Sequence, residues 1–194
     1  MTEVVGILLA AGSARRFGAH KLMHPLADGT PIGIAAARAL IQAVPNTIAV
    51  VRRGDHQLIE ALSALGVKIV ENPFADEGMG TSLAAGVSAA ATAKGWLVSL
   101  ADMPWVRPET IRLLADRLQN GATIVAPVYG GQRGHPVGFS KTTGKALVRI
   151  RGNTGARSLL NTLKDQVELL DVSDPGVIFD IDSKDDIQRW SLVN

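Results

Sequence analysis

The residues with chemistry to offer fall in four glycine-containing loops and two acidic segments. The first loop, Leu8-Leu9-Ala10-Ala11-Gly12-Ser13-Ala14-Arg15-Arg16-Phe17-Gly18-Ala19-His20-Lys21, follows an apolar run and carries two arginines and a lysine. Small residues let backbone N–H groups approach a phosphate closely, and Arg16 and Lys21 would neutralise charge on a triphosphate. The loop lacks the Gly-Lys-Ser/Thr ending of a Walker A loop, and Gly12 and Gly18 are too far apart for a dinucleotide fingerprint. A glycine-rich turn with solvated arginines is the competing account of the same residues.

The apolar run Trp96–Leu100 closes on Ala101-Asp102-Met103-Pro104. A carboxylate at the carboxyl end of a strand points into the crevice where open α/β sheets bind ligands. It is a hard oxygen donor suited to Mg²⁺ beside substrate phosphates. The alternative is an aspartate that organises the turn before Pro104. Asp180 and Asp182 alternate in Phe179-Asp180-Ile181-Asp182-Ser183. On an extended strand they would share a side and repel unless a cation lay between them. Asp182 or Ser183 could instead cap a helix over 184–190.

Three further loops carry polar groups. Glu77-Gly78-Met79-Gly80-Thr81-Ser82 precedes an alanine-rich stretch and offers N–H groups and hydroxyls at a helix start, or a plain glycine turn with Thr81 or Ser82 as its cap. Gly130-Gly131-Gln132-Arg133-Gly134-His135-Pro136-Val137 places a histidine where core packing is awkward. Gly152-Asn153-Thr154-Gly155-Ala156-Arg157 ends on an arginine able to grip a phosphate. His20, His24 and His56 form no metal-ligand spacing with nearby acids.

The elements that must position these residues alternate. Short apolar runs at 4–9, 47–51, 67–70, 96–100 and 123–126 suit strands covered on both faces. Between them lie helical stretches at 32–44 (after Pro31), 56–65 (Asp55 as cap, Gly66 past the end), 82–92 and 109–118. Such alternation implies βαβ units and a mainly parallel sheet, hence a three-layer α/β/α sandwich. The last third is less regular: strands at 136–139, 167–170 and 177–181, helices at 142–150, 156–163 and 183–190. It is expected to pack on one edge of the sheet and add acceptor contacts.

The chain has 194 residues, 46% of them hydrophobic and 20% charged, with a formal net charge of +2. That size suits a single domain over 1–194 with an adequate core. The small net charge gives no reason to expect nucleic acid or an anionic membrane as partner. There is no cysteine, which excludes disulfides, thiolate metal sites and a cysteine nucleophile. No run approaches a bilayer span, and Met1-Thr2-Glu3-Val4 lacks the basic start of a secretory leader, so a cytoplasmic protein is expected.

Leu9-Ala10-Ala11-Gly12 with Arg16, Phe17, Gly18 and Lys21 resembles the signature of the molybdenum-cofactor cytidylyltransferase and guanylyltransferase group. Later segments are similar too: Gly78-Met79 with Ser82-Leu83; the Asp102-Met103-Pro104 turn; Arg133-Gly134-His135-Pro136-Val137; Gly152 with Gly155-Ala156-Arg157; and Asp180-Ile181-Asp182. Ala14 departs from a serine common there, Ser183–Asp186 from Thr-Pro-Glu-Asp, and Asn153 from an acid. The resemblance implies a Rossmann-like nucleotide-diphospho-sugar transferase fold, with nucleotide handling in 1–127 and acceptor binding in 128–194. It implies Arg16, Lys21 and Asp102 as catalytic residues. Leu9, Ala10, Ala11, Gly12, Gly78, Met79 and Ser82 would join them around the nucleotide. Arg133, Gly134, His135, Pro136 and Arg157 would meet the acceptor. Asp102 would bind Mg²⁺ with Asp182 as second ligand ahead of Asp180.

The implied reaction moves CMP from CTP to a molybdopterin-type phosphate with release of pyrophosphate, and a client molybdoenzyme is a conceivable partner. An acceptor phosphate is already ionised near neutral pH, so no strong general base is needed. Ala11 stands where guanylyl members tend to carry glycine. One added methyl narrows the room for a purine, a discrimination of ~1–3 kcal/mol. Competing functions are a guanylyltransferase, another NTP transferase acting on a sugar or alcohol phosphate, and a non-catalytic protein that delivers the cofactor. A redox enzyme is disfavoured by the missing dinucleotide fingerprint.

Overall fold

The computed structural model describes residues 3–12, 17, 20–153 and 155–193, with backbone alone for 191–193. Its centre is an eight-stranded sheet of β1 (Val4–Ala10), β2 (Thr47–Arg52), β3 (Lys68–Asn72), β4 (Gly95–Leu100), β5 (Ile124–Tyr129), β6 (Gln132–Arg133), β7 (Val137–Ser140) and β8 (Val167–Asp171). The order runs β3-β2-β1-β4-β7-β5. β8 pairs with β5 from Ile124 to Val128, so β6 and β7 lie in succession along the opposite edge of β5. The β3-β2-β1-β4 block is parallel, as is β5 with β8, while β7 runs antiparallel to both β4 and β5.

The helices are α1 (Ile32–Ala43), α2 (His56–Ser63), α3 (Met79–Ala89), α4 (Pro108–Gln119), α5 (Gly144–Leu147), α6 (Arg157–Thr162) and α7 (Lys184–Val193). Side chains alternate across each strand, and both faces are apolar. Leu8, Ala49, Leu97 and Val125 point to the side of Leu40 of α1, Leu58 of α2 and Leu114 of α4. Ile7, Val50, Val98 and Ile124 point the other way, to Leu83 and Val87 of α3, Leu147 of α5 and Leu160 of α6. Those two cores make the three-layer α/β/α sandwich that the alternating runs predict. Gly86 lets α3 lie close on the sheet: a Cβ there would sit 2.7 Å from Ile7 Cγ2.

Several boundaries follow the expected chemistry. The Asp55 side chain accepts from Leu58 N at 3.3 Å and caps α2, and Gly66 beyond it takes φ +78°. Other expectations are corrected. The 177–181 segment is not a strand. Pro175–Ile178 forms a 3₁₀ turn, with Asp174 accepting from Gly176 N at 3.1 Å, and irregular chain follows to Asp182. A proline at the first position and a capping aspartate set a turn there before any ladder can form. The last third does not sit on one edge, because β7 is wedged between β4 and β5. The 142–150 stretch shrinks to the one-turn α5 behind a 3₁₀ turn at Lys141–Thr143.

Helix α3 begins at Met79, so Thr81 and Ser82 lie inside it instead of capping it. The Gly130-Gly131 pair, with φ +56° and +79°, closes a tight β5–β6 hairpin with Tyr129 opposite Gln132. In the first turn of α7, the carboxylate of Asp186 accepts from Ser183 N at 2.7 Å, Ser183 Oγ at 2.8 Å and Asp182 N at 3.0 Å. This is the acid half of a capping box. Among the described residues no helix is long and apolar enough to cross a membrane.

Candidate active site

The site lies beyond the carboxyl ends of β1 and β4, where the two strands part company with the loops they feed. Ala101 N donates to Leu9 O at 3.1 Å, which extends the β1–β4 pairing to the last residue before Asp102. Ile181 N donates to Asp102 O at 2.9 Å, which ties the 179–182 segment to the same turn. These two backbone bonds bring three carboxylates together. One oxygen from each of Asp102, Asp180 and Asp182 lies within 4.8 Å of the others. Convergence thus comes from the turn of the chain, and not from the strand alternation anticipated for Asp180 and Asp182.

Lys21 opens a 3₁₀ turn over Lys21–Met23 and reaches across to the acids. Its Nζ donates to Asp102 Oδ2 at 2.8 Å and stands 3.6 Å from Asp182 Oδ1. Burial holds the Asp180 carboxyl above its usual range, and the negative charges of Asp102 and Asp182 push the same way, against its own backbone hydrogen bond and Lys21. Three clustered acids with one lysine leave a surplus of negative charge that a hard divalent cation would relieve. The donors are all carboxylate oxygens, which suits Mg²⁺ or Mn²⁺. His20 lies farther out, its Nε2 2.8 Å from Asp55 Oδ1, and fastens the chain just before Lys21 to the start of α2.

Two cavities meet at this acid cluster. The first, about 530 Å³, is lined by Leu9, Ala10, Ala11, Gly12, Lys21, Gly78, Met79, Ser82, Asp102 and Asp182 among others. The second, about 560 Å³, is lined by Arg133, Gly134, His135, Arg157 and Asp180 among others. Leu9, Met79, Leu100 and Asn153 belong to both walls. The expected nucleotide residues therefore gather in one cavity and most of the expected acceptor residues in its neighbour. Pro136 is buried behind His135, joined to it by a cis peptide, and does not line the second cavity. Arg16 lies outside the described residues.

The start of α3 is held by packing with the 152–153 turn. Gly78, at φ +113°, lies so close to Gly152 and Asn153 that an added Cβ would overlap both, and Gly80 N donates to Gly152 O at 2.8 Å. His135 is half-buried as a residue, yet its Nδ1 is sealed from solvent and has no partner among the described residues. Burial lowers the imidazole pKa to about 4, with Arg133 acting in the same sense and Asp102 against it, so the ring is neutral near neutral pH. Asn153, Asp76 and Leu100 also line the cavities without having been assigned. The Asn153 position carried a signal, since it replaces an acid in the resembled group; the other two sit in runs with no motif.

A mainly parallel sheet with Gly12, Lys21 and an acid cluster beyond its strand ends suits an α/β enzyme of the nucleotidyltransferase class. Residues 6–167 match the MobA-like NTP transferase domain, and the chain belongs to that family. Its reaction class is transfer of a nucleotidyl group, type 2.7.7, which implies a nucleoside triphosphate substrate. Curated relatives include nicotine blue oxidoreductase of Paenarthrobacter nicotinovorans, 29% identical over 96% of this chain and 95% of that protein. They also include molybdenum cofactor cytidylyltransferase of Escherichia coli K12, 27% identical over 96% and 94%. Among solved structures, Rv0371c of Mycobacterium tuberculosis H37Rv superposes with a TM-score of 0.85 at 29% identity, covering 97% of this chain and 96% of that one. A structure of Rv0371c in complex with manganese gives a TM-score of 0.79 at 26% identity over the full length of both.

Proposed function

We propose that this protein transfers CMP from CTP to a molybdopterin-type phosphate, releasing pyrophosphate in a Mg²⁺-dependent reaction. The observation that carries it is the meeting of two cavities at Lys21 and the Asp102, Asp180 and Asp182 cluster. Transfer between a bound triphosphate and a bound acceptor needs such a seam. The first cavity would take CTP along Leu9–Gly12, Gly78, Met79 and Ser82. The second would take the acceptor against Arg133, Gly134, His135 and Arg157. The single domain would thus divide its work between 1–127 and 128–194.

An acceptor phosphate oxygen attacks the α-phosphorus, and the bond from that phosphorus to the α,β-bridging oxygen breaks as pyrophosphate leaves. The acceptor is already ionised, so no side chain has to remove a proton. Asp102 and Asp182, with Asp180 beside them, would hold a divalent ion. When bound, that ion supplies charge neutralisation on the phosphate oxygens. Lys21 sits within reach of the same charge, and with Arg16 would favour departure of the pyrophosphate. The walls formed by Leu9, Met79 and Leu100 would keep the two substrates in register. The cytidylyltransferase relative and the manganese complex of Rv0371c both support the proposal.

The test is pyrophosphate release from CTP, GTP, ATP and UTP, each with molybdopterin, with and without Mg²⁺ or Mn²⁺. Release with CTP that needs both molybdopterin and metal is expected. Preference for GTP would shift the proposal to guanylyl transfer, and release with a sugar or alcohol phosphate alone would replace the acceptor.

A further inference from the structure

A buried amide fixes which way one hydroxyl in the first cavity can point. Asn72 ends β3 and is 2% exposed. Its Oδ1 accepts from the backbone N–H of Phe74 at 2.9 Å. A backbone N–H can only donate, so the amide orientation is settled by chemistry, and Nδ2 must face the other way. There its two protons go to Thr81 Oγ1 at 2.9 Å and Ser82 Oγ at 3.0 Å. Thr81 has carbonyl acceptors for its own proton, Phe74 O at 2.8 Å and Gly78 O at 2.9 Å. Ser82 differs. It receives the amide proton, and among the described residues its own hydroxyl proton has no acceptor, although the residue is 4% exposed and lines the first cavity.

A buried hydroxyl proton without an acceptor is costly, and a ligand atom that takes it removes the cost. We infer that Ser82 is a fixed hydrogen-bond donor to an acceptor atom of the bound nucleotide, and that Asn72, which never touches the ligand, is the positioning residue that sets its polarity. The inference rests on the proposal that the first cavity holds the triphosphate. It adds that the cavity accepts a ligand with an oxygen or ring nitrogen at that point and rejects one with a donor there.

Replacing Asn72 with aspartate keeps the shape and reverses the polarity. One carboxylate oxygen still accepts from Phe74 N, while the other accepts the Ser82 proton and turns the Ser82 lone pairs to the cavity. The experiment is a double-mutant cycle of Asn72→Asp and Ser82→Ala, read as CTP affinity by calorimetry and as kcat and KM in pyrophosphate release. Ser82→Ala should raise the CTP Kd and KM about three- to tenfold with kcat within about twofold. Asn72→Asp should weaken binding at least as much, and most of its effect should vanish in the Ser82→Ala background. A merely structural or charge effect of residue 72 would survive in that background, and additive effects would overturn the assignment. If Asn72→Asp does not fold, Asn72→Ser takes its place: a small loss with Ser82 intact and none in the Ser82→Ala background is expected, and equal losses overturn it. Wild-type protein that binds none of the four triphosphates would bring down the functional proposal, whereas wild-type binding matched by Ser82→Ala would bring down this inference alone.

Discussion

The two cavities share a wall but are built in different ways. The first is made by strand ends and a helix start of the parallel block, where β1, β4 and α3 deliver Leu9–Gly12, Asp102, Gly78 and Ser82 over short stretches of chain. The second draws on the β6–β7 break, the 155–157 turn, α6 and the 3₁₀ turn at Pro175–Ile178. Those pieces come together only through long-range contacts, such as His135 N donating to Val177 O at 2.8 Å. A regular scaffold thus presents Asp102 and the start of α3, and an irregular one supplies Asp180, Asp182 and much of the wall of the second cavity.

Changes to the charged groups of the first cavity should therefore strike turnover, and changes at the second should strike the acceptor and the stability of the fold around it. Asp102→Asn should have the largest effect, a fall of about 10²–10³ in kcat for pyrophosphate release. A variant keeping a tenth of wild-type turnover would remove Asp102 from the chemistry. Lys21→Ala should lower kcat about 10–100-fold while nucleotide affinity changes less, measured by titration against steady-state kinetics. A loss confined to KM would recast Lys21 as a binding group.

His135 sharpens the contrast through pH. Its ordinary pKa of 6.5 falls to about 4 in the folded chain. The unfolded chain therefore binds a proton between those values while the folded chain does not. The contribution of His135 to folding stability is full above about pH 6.5 and is lost as pH falls toward 4, about 1–3 kcal/mol in all. Denaturant unfolding of His135→Leu across that range should show a flatter acid limb than wild type, and parallel limbs would contradict the placement of the ring. Gly78→Ala should cost about 1–2 kcal/mol, since φ +113° and the 152–153 turn both oppose a side chain there. Because Gly78 and Asn153 touch, the same variant should also weaken CTP binding, and unchanged binding would separate the 152–153 turn from the first cavity.

The same division governs how much was legible in the sequence. The parallel block announces itself: continuous apolar runs, a capping Asp55, Gly66 past a helix end and an acid two residues beyond β4 all act over a few residues. The later part hides its geometry in partners distant in sequence. Nothing local says that Val137–Ser140 inserts between β4 and β5, or that Asp180 and Asp182 are gathered by an Ile181–Asp102 backbone bond instead of strand alternation. Strand alternation pointed to the paired acids for a reason that the backbone does not bear out. Asn72 shows the opposite limit, since a single asparagine at a strand end carries no sign of the two hydroxyls it will meet.

The wedged position of β7 also bears on any attempt to dissect the protein. A fragment stopping at Pro127 would retain β1 to β4 and most of β5 but leave one flank of β4 bare, with Trp96 and Val98 stripped of Phe139 and Val137. Unpaired amide and carbonyl groups next to freshly uncovered aromatic surface recruit other copies of the same fragment. Even if the chemistry divides between two stretches of sequence as proposed, a single polypeptide has to complete the sheet before either stretch is safe from self-association.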